Sequence, residues 1–148
     1  MKPKIVTILI ADDDPEDRML AKKALLENRL FPGCLHFVEN GEELLDYLHN
    51  KNQFKDKEKF PFPGIILLDL NMPKKDGREA LKEIKSDTRL SVIPIIALTT
   101  SKAEEDILKT YKLGVNSYIT KPVSFESLVQ VMRSVSKYWF EIVELPNN

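Results

Sequence analysis

The stretch that decides the fold runs from Ile65 to Pro73 and reads IILLDLNMP. Its first four residues are bulky and apolar, which is the pattern of a strand that is covered on both faces. The pattern therefore predicts a buried parallel strand that ends at Asp69. In open parallel α/β sheets, ligands bind at the carboxyl ends of the strands. We expect Asp69 to lie at this functional edge.

A second apolar run, Ile5–Ala11, also ends in acidic residues, at positions 12–14. It predicts a second buried strand. Asp14 before Pro15 fits an N-cap residue followed by proline at the first helical position. Asp17 would add negative charge to the first turn of that helix, where the helix dipole favours it.

The remaining segments alternate between helix and strand. Before the strand at Ile65, periodicity and turn signals predict a helix to about Asn28, a turn at Pro32–Gly33, a strand Leu35–Val38, a short helix after Asn40–Gly41 and a polar loop Asn50–Lys59. After it, they predict a helix from about Arg78, a strand Ile93–Leu98, a further helix, a strand Ser117–Thr120 and a last helix from near Ser124. The further helix contains Ile107, Leu108 and Tyr111, and Thr99–Ser101 could cap it and Gly114 would end it. Five strands alternating with five helices predict a doubly wound α/β fold with a five-stranded parallel sheet, in one domain.

Length and composition narrow the class of protein. The chain has 148 residues, with 22 basic and 23 acidic side chains and a net charge of -1. This near-neutral balance gives no electrostatic footprint for nucleic acid. No apolar run reaches the length of a bilayer span, and the N-terminus does not resemble a secretory signal. We therefore expect a cytoplasmic protein with neither nucleic-acid nor membrane partners.

The cysteine and the two histidines carry no predicted chemistry. Cys34 is the single cysteine, and its apolar neighbours predict a small hydrophobic residue in the core. His36 and His49 lack a further histidine or cysteine at metal-ligand spacing, so both are interpreted as structural.

Polar residues follow the predicted strands and should meet at one edge of the sheet, because right-handed crossovers bring the carboxyl ends of parallel strands together. They are Asp12, Asp13, Asp69, Thr99 and Lys121. Each alone is explained by a turn, a helix cap or a surface charge, but their convergence favours a functional site. Three carboxylates predict a hard divalent ion such as Mg²⁺. The hydroxyl and the ammonium could then hold a phosphoryl group on Asp69.

These motifs resemble the response regulator receiver domain of the CheY-like superfamily, and the resemblance runs essentially end to end. It implies a flavodoxin-like strand order 2-1-3-4-5 and phosphorylation by a sensor histidine kinase with Mg²⁺. The roles it implies are Asp69 as phospho-acceptor, Asp13 and Asp69 as metal ligands with the backbone carbonyl of Asn71, Asp12 as a member of the acidic pocket that binds the metal through water, Lys121 as phosphate-binding lysine, and Thr99 and Tyr118 as switch residues.

A narrower resemblance involves the polar loop before Phe60–Pro63 and the tail Tyr138–Pro146. Both are similar to stand-alone regulators of bacterial phytochrome-type histidine kinases. No DNA-binding or enzymatic output domain is predicted after the receiver, so we expect output through protein contacts or phosphate relay. The Lys121–Pro122 bond is often cis in the family. Thr100 departs from the usual Ala, Gly or Ser, and we expect it to crowd access to the phosphoryl group.

Two other classes of protein share parts of this pattern. A Mg²⁺-dependent phosphatase with an aspartate nucleophile would need a second carboxylate as general acid, where this chain has Asn71. A flavin or nucleotide carrier would need a loop that cradles phosphate, but the acidic residues at 12–14 would repel an anion. The phosphatase remains the alternative to the response regulator.

The last predicted helix extends past the domain from about residue 136. Val135, Trp139, Ile142 and Val143 continue its apolar stripe, whereas Tyr138 and Phe140 do not fit it. Large apolar surface is therefore expected to face outward, so Tyr138, Trp139 and Phe140 are predicted as an interface for a homodimer or a docked partner. In the alternative, the tail leaves the helix and folds back over its own domain.

Overall fold

Five parallel strands form the centre of the structure, a computed structural model that describes residues 6–27 and 34–146. The elements in chain order are β1 (Thr7–Ala11), α1 (Pro15–Leu26), β2 (Cys34–Val38), α2 (Gly41–Leu48), a 3₁₀ turn (Asn52–Phe54), β3 (Ile65–Leu68), α3 (Gly77–Ser86), β4 (Ile95–Thr99), α4 (Glu104–Lys112), β5 (Ser117–Thr120), α5 (Phe125–Ser136) and a π-helical segment (Lys137–Ile142). The sheet order is β2-β1-β3-β4-β5, and every pairing is parallel. The predicted doubly wound, flavodoxin-like fold is confirmed.

The central strands are covered on both faces, as their apolar sequences predict. Leu9 of β1 lies in a core shared with α2 and α3. Its neighbours Ile8 and Ile10 point to the other face and lie in a core shared with α1 and α5. Because successive side chains of a strand alternate between faces, one continuous apolar run supplies both cores.

Several helix boundaries follow from the predicted capping residues. The Asp14 carboxylate accepts hydrogen bonds from the backbone N–H groups of Glu16 and Asp17, with Pro15 at the start of α1. Ser124 caps α5 in the same manner. Gly114 has φ +106° just after α4, a conformation that glycine adopts without steric cost.

The segment around β4 differs from the prediction. β4 begins at Ile95 rather than Ile93, and Thr99 is its last residue instead of a cap for α4. The helix begins only at Glu104, and its N-cap residue makes no side-chain hydrogen bond. Leu108 and Tyr111, predicted as the apolar side of α4, are largely exposed.

The predicted polar loop Asn50–Lys59 is anchored by an aromatic cluster. It contains a 3₁₀ turn whose Phe54 is buried against Tyr47 and Phe60. The Asn50 side-chain amide donates to the carbonyls of Phe54 and Phe60, each at 3.1 Å. His36 packs edge-on against Phe60, which agrees with its structural interpretation, and burial lowers its pKa.

Cys34 was predicted to be buried, but it is exposed. The reason is its position as the first residue of β2, which is an edge strand of the sheet. Its Sγ lies 3.3 Å from the Thr7 hydroxyl oxygen. The predicted helix end near Asn28, the turn at Pro32–Gly33 and the first residue of the predicted strand Ile5–Ala11 lie outside the described residues.

The tail folds back over its own domain, which is the alternative that the sequence left open. Val143 donates its backbone N–H to the Tyr138 carbonyl at 2.9 Å, a hydrogen bond over five residues. Trp139 is buried, with 9% exposure, and the wider π-turn shifts the phase of the helix after it, so that Phe140 also packs against the core. Tyr138 is 52% and Ile142 63% exposed. The apolar stripe predicted through Ile142 is therefore wrong at that residue.

Two further features bear on the sequence predictions. Within residues 6–27 and 34–146 every peptide bond is trans, including Lys121–Pro122, where the resemblance had suggested that cis is common. Among the helices of the same residues, none combines the length and the apolar character needed to cross a membrane.

Candidate functional site

The carboxyl ends of four strands bring the predicted site residues together. Asp12 follows β1, Asp69 follows β3, Thr99 ends β4 and Lys121 follows β5. Backbone hydrogen bonds continue the sheet into the site, from Asp69 N–H to the Ala11 carbonyl at 2.9 Å and from Lys121 N–H to the Thr99 carbonyl at 2.8 Å. The sheet itself therefore fixes the spacing of these side chains.

Three of the acidic residues could hold a cation. Asp12, Asp13 and Asp69 each offer a carboxylate oxygen, and these oxygens lie within 4.8 Å of one another. Asp12 and Asp69 are buried and Asp13 is exposed, so the cluster opens to solvent on one side. Oxygen-only ligands suit a hard divalent ion, so the residues present fit such an ion.

Lys121 is the positive centre of the site. Its Nζ donates to Asp12 Oδ2 at 2.9 Å, to Asp17 Oδ2 at 2.9 Å and to Asp69 Oδ2 at 3.1 Å. Burial by itself lowers the pKa of the ammonium, but the hydrogen bonds to Asp17 and Asp12 and the charges of Asp12 and Asp69 outweigh it and raise the pKa. The ammonium therefore stays charged over the whole physiological range.

Asp69 has both carboxylate oxygens engaged. Oδ1 accepts the backbone N–H of Asn71 at 3.1 Å, and Oδ2 accepts the ammonium of Lys121. Burial raises the pKa of Asp69. The positive charge of Lys121 and the hydrogen bond from the Asn71 N–H lower this pKa, whereas the negative charge of Asp12 raises it further. The net direction is upward, because the protein removes this carboxylate from water.

Thr99 and Tyr118 occupy the opposite side of the site. The Thr99 side chain is buried, and the Asn71 side-chain amide donates to its hydroxyl at 3.5 Å. The Tyr118 hydroxyl donates to the Ser101 carbonyl at 3.0 Å, two residues beyond Thr99. The Tyr118 ring is thus hydrogen-bonded to the segment that directly follows β4. Thr100, between them in sequence, has an exposed side chain.

A glycine allows the start of α3 to lie close to the backbone of Asp69 and Leu70. A Cβ atom on Gly77 would lie 2.6 Å from the Asp69 carbonyl oxygen and 2.7 Å from the Leu70 Cα. The Gly77 N–H donates to the Leu70 carbonyl at 3.0 Å, and Asp76 caps α3. The short loop thus returns α3 directly beneath Asp69.

The sequence predicts Asp17 only as an acidic residue in the first turn of the helix, and it predicts no role for Arg18. In the structure, Asp17 binds Lys121, and the Arg18 guanidinium donates to the Asp12 carbonyl at 2.7 Å. A usable signal was present, because a cap at Asp14 makes Asp17 the third helical residue, whose side chain points back over the helix start. That start lies at the carboxyl end of β1.

With this geometry, comparison with known proteins assigns the class. Residues 8–133 match the model of the response regulator receiver domain family, and the chain belongs to that family.

Three relatives are closely similar. Response regulator Rcp1 of Synechocystis sp. is 37% identical over 144 residues, which cover 97% of this chain and 94% of Rcp1. The structure of the phosphorylated cyanobacterial phytochrome response regulator RcpA is 38% identical, with a TM-score of 0.89 and coverage of 97% of this chain and 100% of RcpA. The response regulator RPA3017 in red light signalling of R. palustris is 33% identical, with a TM-score of 0.91 and coverage of 97% and 100%.

Proposed function

We propose that this receiver domain accepts a phosphoryl group on Asp69 from a phosphohistidine of a sensor histidine kinase. The observation that carries the proposal is the position of Asp69, buried at the strand edge, 3.1 Å from Lys121 Nζ and within the carboxylate cluster of Asp12 and Asp13. The proposal treats residues 1–148 as one cytoplasmic receiver domain with an extension from about residue 136.

The chemistry is a phosphoryl transfer in which a carboxylate oxygen of Asp69 attacks phosphorus. The P–N bond of phosphohistidine breaks, and its electron pair leaves with the imidazole. With a small acyl phosphate, the P–O bond breaks and a carboxylate leaves. Lys121 and Thr99 are placed to donate to two phosphoryl oxygens, which supplies positioning and charge stabilisation.

The acidic cluster has its own part in this reaction. We assign Asp12, Asp13, Asp69 and the backbone carbonyl of Asn71 as the groups that hold Mg²⁺. When bound, this ion neutralises negative charge on the phosphoryl group and on the carboxylates that surround it. The domain catalyses only its own phosphorylation and dephosphorylation, so it is not a conventional enzyme.

The signal leaves the site through Thr99 and Tyr118. The phosphoryl group draws the Thr99 hydroxyl inward, and the Tyr118 ring follows, releasing its hydrogen bond to the Ser101 carbonyl. The surface of α4, β5 and α5 then changes, and a protein partner can detect it. The kinase partner is of the phytochrome type, because the similar regulators RcpA and RPA3017 serve phytochrome or red-light signalling.

A labelling experiment tests the proposal. Wild type, Asp69→Asn and the loop control Asp56→Asn are incubated with a radiolabelled small acyl phosphate, with Mg²⁺ or with EDTA. Wild type and Asp56→Asn are both expected to be labelled when Mg²⁺ is present and to stay unlabelled in EDTA. Label that persists in Asp69→Asn, or in EDTA, would refute the proposal. Steady turnover of a generic phosphoester would instead favour the phosphatase alternative.

A further inference from the structure

We propose that Asp17 is a positioning residue that holds the Lys121 ammonium in the site while Lys121 exchanges its contact with the Asp69 carboxylate for a phosphoryl oxygen. This inference rests on the proposed function, because it presumes that Asp69 is phosphorylated. It adds an acidic residue from α1 to the set that the strand edge supplies.

All the hydrogen-bond donors of the Lys121 ammonium have carboxylate acceptors. An ammonium group has three N–H bonds, and Lys121 Nζ has three carboxylate acceptors, at 2.9 Å on Asp12, 2.9 Å on Asp17 and 3.1 Å on Asp69. Every donor of the ammonium is therefore used. A phosphoryl oxygen can bind Lys121 only if one of these three acceptors gives up its place.

The three carboxylates that accept from Lys121 would not remain equally available after phosphorylation of Asp69. Phosphorylation turns one carboxylate oxygen of Asp69 into the bridging oxygen of an acyl phosphate and removes the negative charge of the carboxylate, which weakens Asp69 as an acceptor. Asp12 belongs to the metal-binding cluster, and its Oδ1 already accepts the Asp14 N–H at 3.0 Å. Asp17 belongs neither to that cluster nor to the phosphorylated residue. It is the carboxylate whose bond to Lys121 can persist in both states.

Asp17 is held in place by its position in the first turn of α1. Asp14 and Pro15 fix the start of this helix, and its buried residues Ala24 and Leu25 share a core with α5. This packing fixes the position of α1 relative to α5. Asp17 therefore offers Lys121 a fixed anchor beside the site.

The solvent exposure of Asp17 indicates that its contact with Lys121 positions the ammonium more than it stabilises the fold. The Lys121 side chain is 14% exposed, but that of Asp17 is 38% exposed. Ion pairs that are open to solvent contribute little to folding, so the value of this contact lies in where it holds the ammonium. Removing the Asp17 charge should change binding at the site far more than it changes the unfolding temperature.

The experiment compares Asp17→Asn with Glu16→Gln, which removes the same charge from the neighbouring residue of the same helical turn. Beryllofluoride affinity is measured by NMR titration at saturating Mg²⁺, and the Lys121 side-chain NH₃⁺ signal is followed in the free and bound protein. Asp17→Asn is expected to weaken beryllofluoride binding on the order of fivefold, as the loss of one partly screened charge pair implies. Its NH₃⁺ signal should broaden through faster exchange, while Glu16→Gln matches wild type in both readouts.

Three results would overturn the inference. Asp17→Asn could bind beryllofluoride like wild type with an unchanged NH₃⁺ signal, which would make the contact incidental. Asp17→Asn and Glu16→Gln could lose affinity equally, which would indicate a general charge effect of the helix start. Wild type could fail to bind beryllofluoride and to be labelled at Asp69, and that result alone would also remove the proposed function.

Discussion

Lys121 Nζ and Asp69 Oδ2 form an ion pair at 3.1 Å, although their residues lie at the ends of strands that are not adjacent in the sheet. β4 separates β3 from β5, so the lysine side chain reaches across the site to the carboxylate. In the proposed function, phosphoryl transfer to Asp69 would exchange this acceptor of Lys121 for a phosphoryl oxygen on the same residue.

Asp69→Asn is expected to stabilise the metal-free protein at neutral pH, by about 1 kcal/mol, a usual size for a single substitution. Burial raises the pKa of Asp69, so the folded state binds this proton more tightly than the unfolded state does. The contribution of Asp69 is then most favourable below the ordinary value of 3.8, and it is lost as the pH rises through the raised pKa. Unfolding in urea with EDTA, at several pH values, measures this.

The stabilisation by Asp69→Asn should therefore shrink as the pH falls through the raised pKa toward 3.8. Asp56→Asn, in the polar loop, is the control and should show no such trend. A difference between wild type and Asp69→Asn that does not vary with pH would contradict the prediction.

Asp13→Asn is expected to weaken Mg²⁺ binding on the order of tenfold or more, because it removes one charged oxygen from a three-carboxylate cluster. Asp13 is the exposed member, and none of its contacts holds Lys121, so the ion pairs of the lysine should survive. Calorimetric titration gives the affinity. The capping residue Asp14 provides the control as Asp14→Asn, which keeps a side chain that caps helices as well as aspartate does and should leave Mg²⁺ affinity within twofold of wild type. Equal losses in both variants would argue against the assigned ligand.

Gly77→Ala is expected to destabilise the fold by about 2 kcal/mol, since overpacking a closed backbone contact costs about that much. The added Cβ would meet the Asp69 carbonyl oxygen at 2.6 Å, so the phospho-acceptor itself should shift. Labelling by a small acyl phosphate should be slower than in wild type, even at temperatures where the variant is fully folded. Glu79→Ala on the exposed side of α3 is the control. A folded Gly77→Ala protein that is labelled at the wild-type rate would disprove the link between this loop and the site.

Trp139→Ala is expected to reduce the free energy of unfolding by about 3 kcal/mol, in the range of buried aromatic truncations. The tail packs Trp139 into the core beside α1 and α5, so the residue acts on stability where the sequence analysis had placed it in an interface. Tyr138→Ala, at the neighbouring exposed residue, should change stability by less than about 0.5 kcal/mol. Similar costs for the two variants in urea unfolding would contradict the observed orientation of the tail.

Self-association of the tail remains a prediction, now carried by its exposed residues. Tyr138 and Ile142 present apolar surface outward, and aromatic residues often dominate the energy of a contact. The double variant Tyr138→Ala/Ile142→Ala is expected to weaken a homodimer on the order of tenfold. Sedimentation with and without beryllofluoride measures this, with the exposed Val92→Ala as control. A wild type that is monomeric in both conditions would leave only docking to another protein.

The sequence by itself determined the order of the elements and the edge at which the site lies. Short apolar runs rich in β-branched and bulky residues, such as Ile65–Leu68, favour strands covered on both faces, and a charged residue such as Asp69 marks their end. The turn and cap signals at Asp14, Gly114 and Ser124 are local, so they were predicted within a residue or two of where the structure has them. Thr99, Lys121 and the acidic residues could be placed together because right-handed crossovers bring the carboxyl ends of parallel strands to one edge of the sheet.

Only the tertiary structure decided the features that depend on distant packing. Asp17 meets Lys121 because α1 and β5, far apart in sequence, begin and end at the same sheet edge. Cys34 is exposed because β2 lies at an edge, a consequence of strand order rather than of its neighbours in sequence. Phe140 packs against the core and Ile142 is exposed because the π-helical segment rotates the tail after Trp139 by a fraction of a turn. The periodicity of an ideal α-helix does not include such a rotation. The buried and exposed faces of the tail therefore depend on how it packs against the core.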